Sequence, residues 1–363
     1  MKVYVVEREA LAKNIEFLKS RAGDTPIWAV LKGNGYGIGI IPFAKILSEH
    51  GIHQFCVTEL REASALRENG FETEPILMLR ETVDPAEINQ LLDLHIILTV
   101  GSVDCAAVLN GIAASRADMA EVHLKLDTGM GRYGFLPSET DKMISVYEYM
   151  KNIAVTGIYT HFHSAFSNDL ATKRQYATFQ SVVTHIQQTG YETGTVHCCN
   201  SSAFLRYPEM HCDGVRLGSA FLGRLSFPHN FPLTRIGYME ATIETLRWLP
   251  KEHTVGYGAT WRAKEPTKIA VLSVGWYNGF GAERCNDTFR FRDCLRGILQ
   301  NIKRILFRHN IIVTVNGHKC RVLGHIGMVN TIVDVTDIAC AVGDRVICQV
   351  NPLTLKGVKI QYR

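Results

Sequence analysis

No run of apolar residues in this chain approaches the roughly twenty needed to cross a bilayer. Excess charge of one sign is missing too. Lys and Arg number 39 against 35 Asp and Glu, a net charge of +4 over 363 residues, so neither nucleic acid nor a membrane is expected as partner. The opening Met-Lys-Val-Tyr-Val-Val-Glu-Arg-Glu runs straight into charge without the long apolar core of a secretory signal. The ten cysteines never fall in the Cys-x-x-Cys spacing of a zinc or redox site. Two of them, Cys198 and Cys199, are adjacent, a poor arrangement for a structural bridge. Reduced thiols in a cytoplasmic protein are therefore expected, with no bound metal. There is no low-complexity tract. What remains is an ordinary globular composition, 46% apolar and 20% charged, in a chain long enough for two domains.

Short apolar runs recur at 27–32, 54–58, 75–79, 96–100, 121–126, 154–160, 195–199 and 214–216. Helix-like stretches separate them at 42–50, 60–69, 103–115, 140–151 and 172–189. Eight strand signals alternating with helices predict a (β/α)8 barrel, taken over residues 1–225. A doubly wound open sheet is the competing arrangement, and eight units in about 190 residues fit the barrel better. After Gly223 the prolines Pro228, Pro232 and Pro250 break helices and β-rich segments follow at 238–249, 268–274, 311–316, 319–323, 331–335 and 345–350. They predict a mostly antiparallel β domain over residues 226–363. The alternating residues 2–6 are candidates for a strand of that second domain. One segment stands apart: over 287–310, Leu295, Ile298, Leu299, Ile302 and Ile305 share one helical face and cations cover the other. A helix over about 290–308 is expected, packing on its own domain.

The chemistry begins at Trp28-Ala-Val-Leu-Lys32-Gly-Asn-Gly-Tyr36-Gly-Ile-Gly39. A buried strand that ends in lysine sets an amine at the mouth of a sheet or barrel, where desolvation lowers its pKa and frees it as a nucleophile. The four glycines let backbone turn sharply and come close to a ligand. A snorkelling lysine beside an ordinary turn would read the same way. Three further strand ends carry polar clusters, however: Lys125-Leu-Asp127-Thr-Gly-Met-Gly-Arg132, Tyr159-Thr-His161-Phe-His163 and His197-Cys-Cys-Asn200-Ser201-Ser202. A fourth is Arg216-Leu-Gly218-Ser219. Barrel active sites form at such ends, and the loops after the last two strands are the usual phosphate site. Asn200 or Ser201 opens a helix whose free N–H groups suit an anion. Each motif alone fits a capped loop, and His163 fits a structural role. The ordered series points to a site.

These segments resemble the alanine racemase family, pyridoxal-phosphate (PLP) enzymes of fold-type III. The resemblance runs from the amino terminus to about Val335, broken by the helix at 287–310. Its most specific pieces are Ala29-Val-Leu-Lys32-Gly-Asn-Gly-Tyr36-Gly, Lys125-Leu-Asp-Thr-Gly-Met-Gly-Arg132-Tyr-Gly, Gly157-Ile-Tyr-Thr-His161-Phe and Val255-Gly-Tyr257-Gly-Ala-Thr. The resemblance implies that Lys32 forms a Schiff base with PLP and serves as the base on one face of the substrate Cα. It implies that Tyr36, Asn200, Ser201, Gly218 and Ser219 hold the phosphate end and that His161 lies against the cofactor. Arg216 would meet the pyridine nitrogen. Arg132 would polarise the phenolic oxygen and the substrate carboxylate, which Met328 would also contact. Lys125 matches a lysine that several members carbamylate. Tyr257 would be the second base, given by the neighbouring subunit of a homodimer, because racemisation needs groups on both faces of the carbanion.

The departures bear on substrate. Gly275-Trp276-Tyr277-Asn278-Gly279 replaces the family's Gly-Tyr-Ala-Asp-Gly, Val329-Asn330 replaces Asp-Gln, and the usual late phosphate-binding tyrosine is missing, with Tyr362 left open as a substitute. The expected function is racemisation of alanine, with serine or a larger amino acid as alternatives. Another fold-type III enzyme, a decarboxylase or a D-amino-acid aldolase or dehydratase, is the runner-up. A non-catalytic PLP carrier is a third class. Arg216 occupies the place where decarboxylases carry an acidic residue, no convincing His/Cys metal pair lies near the carboxyl terminus, and carriers lack a second domain.

Overall fold

The computed structural model describes residues 2–282, 290–307 and 311–363. Two compact units divide it: Arg8–Ile236 forms one, and the strand Lys2–Val6 belongs with Gly237–Arg363 in the other.

In the first unit, eight short strands pair in parallel: Ile27–Val30, Gln54–Val57, Ile76–Met78, Leu98–Val100, Ala120–Lys125, Ile153–Tyr159, Thr195–His197 and Val215–Leu217. They form two four-stranded ladders, which single parallel bridges join at Leu77–Ile97 and at His197–Gly214. The result is a closed (β/α)8 barrel. Several strands, such as Ile-Trp-Ala-Val at 27–30, are buried at every residue, as parallel strands covered on both faces must be. Trp28, Val30, Cys56, Leu77 and Ile97 pack together as one buried cluster. Side-chain caps start several of the intervening helices. Asp84 accepts the Ala86 N–H at 2.9 Å ahead of Pro85, Ser102 accepts that of Cys105 at 3.2 Å, and Asn168 that of Ala171 at 3.0 Å.

In the second unit, Tyr238–Leu249 is the central strand and pairs antiparallel with Thr267–Leu272, Arg345–Cys348 and Lys2–Val6. Lys2–Val6 pairs on its other edge with Lys359–Tyr362, in parallel. Alternating inward residues, among them Met239, Ala241, Ile243, Ala270, Leu272, Val313, Val315, Val333 and Val346, make one core. The nine described cysteines are free thiols. Among the described residues no helix is long and apolar enough to cross a membrane.

The amphipathic segment departs from expectation. Its helix runs Phe291–Phe307, and residues 287–289 and 308–310 of the expected span lie outside the described residues. Its apolar face does not pack on the domain: Leu295, Ile298, Leu299, Ile302 and Ile305 are all exposed. A hydrophobic stripe establishes that a helix has a face to bury, not that its own domain covers it.

Candidate active site

All the chemistry of the barrel unit collects at the carboxyl ends of its strands. Lys32 lies two residues beyond the first strand, and Thr58 and Leu79 directly follow the second and third. Lys125 and Tyr159 end the fifth and sixth, His161 follows, and Arg216 lies on the eighth. Together with Arg132 these side chains line one cavity.

Lys32 is held there by an unusual turn. Gly33, Asn34 and Gly35 have φ near +60°, and Tyr36 continues the left-handed path at +56°. Glycine and asparagine tolerate that region, so the sequence Gly-Asn-Gly is what permits a left-handed turn after a lysine. The turn is pinned from outside by Glu62, a buried carboxylate that accepts the Asn34 N–H at 3.1 Å and the Thr58 N–H at 3.0 Å. One acid thus ties the first two strand-end loops together. Partial burial and then the Arg132 guanidinium hold the Lys32 amine below the ordinary lysine range, with Glu62 opposing them.

The turn also aims Tyr36 at the last strand-end loop. A methyl group on Gly218 would sit 2.1 Å from the Tyr36 hydroxyl oxygen, so only glycine admits the ring there. Ser201 completes this corner. Its hydroxyl oxygen accepts N–H groups of Gly218 and Ala220 at 3.2 and 3.4 Å. Half-buried Ser219 lies between them in the same turn. Asn200 is committed elsewhere, since its Oδ1 caps the helix Ser201–Arg206 at Ser202 and Ala203 and its Nδ2 donates to the Phe162 carbonyl.

Arg216 is buried and, among the described residues, has no carboxylate as hydrogen-bond partner. Its guanidinium donates to the Thr160 carbonyl at 2.6 Å, to the His197 carbonyl at 3.1 Å and to His197 Nδ1 at 2.5 Å. An arginine can only donate, so His197 Nδ1 is the acceptor and its proton resides on Nε2, which donates to His123 Nδ1 at 2.8 Å. Burial and the arginine charge keep both imidazoles neutral, His123 at about 3 and His197 well below the usual range. The Tyr159 ring stacks on His197 and lies 4.9 Å beneath the Arg216 carbon. His161 is held neutral in the same way, by burial and then by Arg216, Arg132 and the two lysines.

Asp127 is the organiser of the loop that carries Arg132. Its two oxygens accept the backbone N–H groups of Gly129, Met130, Gly131 and Arg132 at 2.7–3.2 Å. Behind it, buried Lys125 points its amine at the rings of Tyr133 and Tyr159, 5.0 and 5.6 Å away. Burial, then Arg132 and Arg216, bring that amine down to about 8. An unfolded lysine titrates near 10.4, so over about pH 8–10 the unfolded chain binds the extra proton and stability rises with pH. In carbon-dioxide-free buffer the melting temperature should therefore climb across that window relative to a Lys125→Met variant. Parallel curves for the two proteins would contradict the assignment.

Tyr257 and Met328 belong to the other unit. Tyr257, in a short turn at Tyr257–Ala259, is 82% exposed, and Met328 is 52% exposed. Their loops are interlocked. The Val255 carbonyl lies 2.7 Å from where a Gly324 side chain would begin, and the Trp276 N–H donates to the Gly327 carbonyl at 3.1 Å. Trp276 is exposed beside them. Met328 accepts the Tyr277 N–H at 3.0 Å, and the Asn330 amide is tied to Glu244 at 3.0 Å.

Sequence reasoning passed over Glu62 and His123, and it placed Asp127, Tyr159 and His197 in strand-end clusters without giving them a role. Period-two alternation carries a signal for the histidines, because each occupies an inward position of a barrel strand. Glu62 carries none, lying on a helix surface until the loops close around it.

Family models describe residues 6–225 as the alanine racemase N-terminal domain and 238–354 as the alanine racemase C-terminal domain. The chain is 30% identical over 339 residues to alanine racemase 1 of Oceanobacillus iheyensis, covering 92% of this chain and 84% of that one. It is 32% identical over 341 residues to alanine racemase of Desulforamulus reducens, with 92% and 85% covered. In fold it matches the solved alanine racemase of Clostridium difficile with a TM-score of 0.86 at 24% identity, over 100% of this chain and 95% of that one. A barrel whose strand ends gather Lys32, Arg132, His161 and Arg216, followed by a β unit and matched along both parts by one pair of family models, leaves a single placement: the chain belongs to the alanine racemase family.

Proposed function

We propose that the protein is a pyridoxal-phosphate-dependent alanine racemase that works as a homodimer. The observation that carries this reading is the company of Lys32. Its amine opens into a cavity whose other charged groups include three cations, Lys125, Arg132 and Arg216, whose side chains have no direct hydrogen bond to a carboxylate among the described residues. Such a donor set fits an anionic ligand with a carbonyl for the amine. The corner formed by Tyr36, Ser201 and Gly218 fits a phosphate: hydroxyls and backbone N–H groups converge where no side chain at 218 intrudes.

Lys32, Tyr36, Ser201, Gly218 and Ser219 would hold the cofactor, with Arg216 at the ring nitrogen and His161 against the ring. Bound pyridoxal phosphate supplies an electrophilic carbon and a conjugated ring that acidify the Cα–H of an amino acid. Arg216 cannot release a proton, so it would leave an acceptor nitrogen facing it unprotonated, which would suit return of a proton to Cα. Lys32 removes or delivers that proton on one face. Its lowered pKa raises the neutral fraction available for the task. Tyr257 acts on the other face from the partner subunit. The exposure of Tyr257, Met328 and Trp276 on interlocked loops supports this, since a dimer gives those side chains something to cover. Arg132, fixed by Asp127, receives the substrate carboxylate with Met328. We also assign carbamylation to Lys125, because a buried amine brought to about 8 is largely neutral under mildly alkaline conditions and a carbamate would supply the missing anion beside Arg132. The free thiols support a reducing, cytoplasmic setting.

Alanine is the substrate named by the relatives, and Trp276 with Val329-Asn330 at the second unit's exposed loops is where serine would be admitted. Solvent-deuterium exchange into Cα across L- and D-amino acids tests the whole reading. Exchange with inversion of alanine is the expected result. Loss of carbon dioxide, or exchange confined to one enantiomer series, would replace it.

A further inference from the structure

The helix Phe291–Phe307 is not used by any of this chemistry, and it carries an exposed apolar face. At 100° per residue, Phe291, Leu295, Ile298, Leu299, Ile302, Ile305 and Leu306 fall within an arc of about 120°. Every one of them is exposed, from 44% at Ile302 to 81% at Phe291. The stripe is as bare at its ends as at its centre, with Ile305 77% and Leu306 69% exposed.

Charge selects the occupant. Residues 290–307 hold five Lys and Arg and one acid, Asp293, so this segment alone has the net charge of +4 carried by the whole chain. Asp293 is already shared between Arg290 at 2.6 Å and Arg296 at 3.6 Å. Arg292, Arg296 and Lys303 run along one margin of the apolar arc, and Arg290 stands off the other. A second copy of this helix would bring like charge against like. A broad apolar stripe about 25 Å long with cations at its margins matches instead the boundary between acyl chains and anionic headgroups.

We propose that this helix docks the protein on the surface of a bilayer containing anionic phospholipid, lying in the interface without crossing it. This revises the expectation, drawn from the small overall charge, that no membrane is involved: the charge is small in total yet gathered on one helix.

The test is co-sedimentation of the full-length protein with vesicles of phosphatidylcholine alone and of phosphatidylcholine with phosphatidylglycerol. Binding is expected to the second only, at least about tenfold weaker when salt is raised from about 0.1 M to about 0.5 M. The double variant Leu299→Glu with Ile302→Glu should lose it, and Arg292→Gln with Arg296→Gln and Lys303→Gln should weaken it at least about tenfold. Both should keep Cα exchange activity, which shows that they are folded. Failure of the wild type to sediment with phosphatidylglycerol vesicles, equal binding to the neutral vesicles, or undiminished binding by an active Leu299→Glu, Ile302→Glu protein would each overturn the proposal. Should the wild type ignore vesicles while that variant lowers the molar mass seen by light scattering, the face is a contact between copies of the chain instead.

Discussion

Lys32→Ala should lower racemisation of alanine by ~10,000-fold or more, since it removes both the amine that joins the cofactor and the proton carrier on one face of Cα. The same variant should lack the visible absorbance that pyridoxal phosphate shows when joined to a lysine. The second readout separates chemistry from collapse. Lys32 is solvent-reachable in the cavity, and the turn behind it is held by Glu62 through the backbone of Asn34, not through the lysine side chain. The barrel should therefore fold without the amine, with a far-ultraviolet spectrum like that of the wild type. An alanine variant that keeps the visible band would show that another amine holds the cofactor. Lys125 is the candidate in that event, because it lines the same cavity and burial with the two arginines brings its amine down to about 8.

Tyr257→Phe should lower racemisation by about 100- to 10,000-fold, the range for loss of one general acid–base group. It should leave the visible band intact, because Tyr257 is in a unit that holds none of the proposed cofactor ligands. Solvent deuterium should then enter Cα from one enantiomer and not the other. Mixing the two inactive variants tests the shared site directly. If Tyr257 serves the partner's barrel, a hybrid dimer has one site with both mutations and one with neither, so random re-assortment restores about a quarter of wild-type activity. If Tyr257 serves its own barrel, each chain of the hybrid remains defective and nothing returns. Equal exchange from both enantiomers in Tyr257→Phe would remove the residue from the mechanism.

The two variants probe residues that differ in how they could be found. Lys32 sits at the end of an all-apolar strand, and that pattern alone announces a buried parallel strand with an amine at its mouth. The central strand of the second unit, Tyr238–Leu249, was legible for a related reason: long alternation of apolar and polar residues has one reading. Short elements were less visible. The helix Pro85–Asp93 has an Asp-Pro start that marks a cap and first turn, yet its nine residues offer too few periods to stand out. The strand Lys359–Tyr362 carries no apolar run, and its place is set by parallel pairing to a segment more than 350 residues earlier, which no local pattern can carry.

What the sequence by itself determined about this protein is the set of parts: eight buried strands, the glycines that permit a left-handed turn at 33–36, and the residue types that bring a nucleophile and cations to strand ends. These depend on burial, backbone freedom and side-chain chemistry, all local properties. Only the tertiary structure decided how the parts are held. It put Glu62 across two loops, spread Asp127 over four N–H groups, and set the tautomers of His197 and His123 from a donor-only arginine. It also left the stripe of Phe291–Phe307 uncovered. Each of these rests on which groups meet across the fold, and hydrogen bonding and desolvation act on that distance, not on separation along the chain.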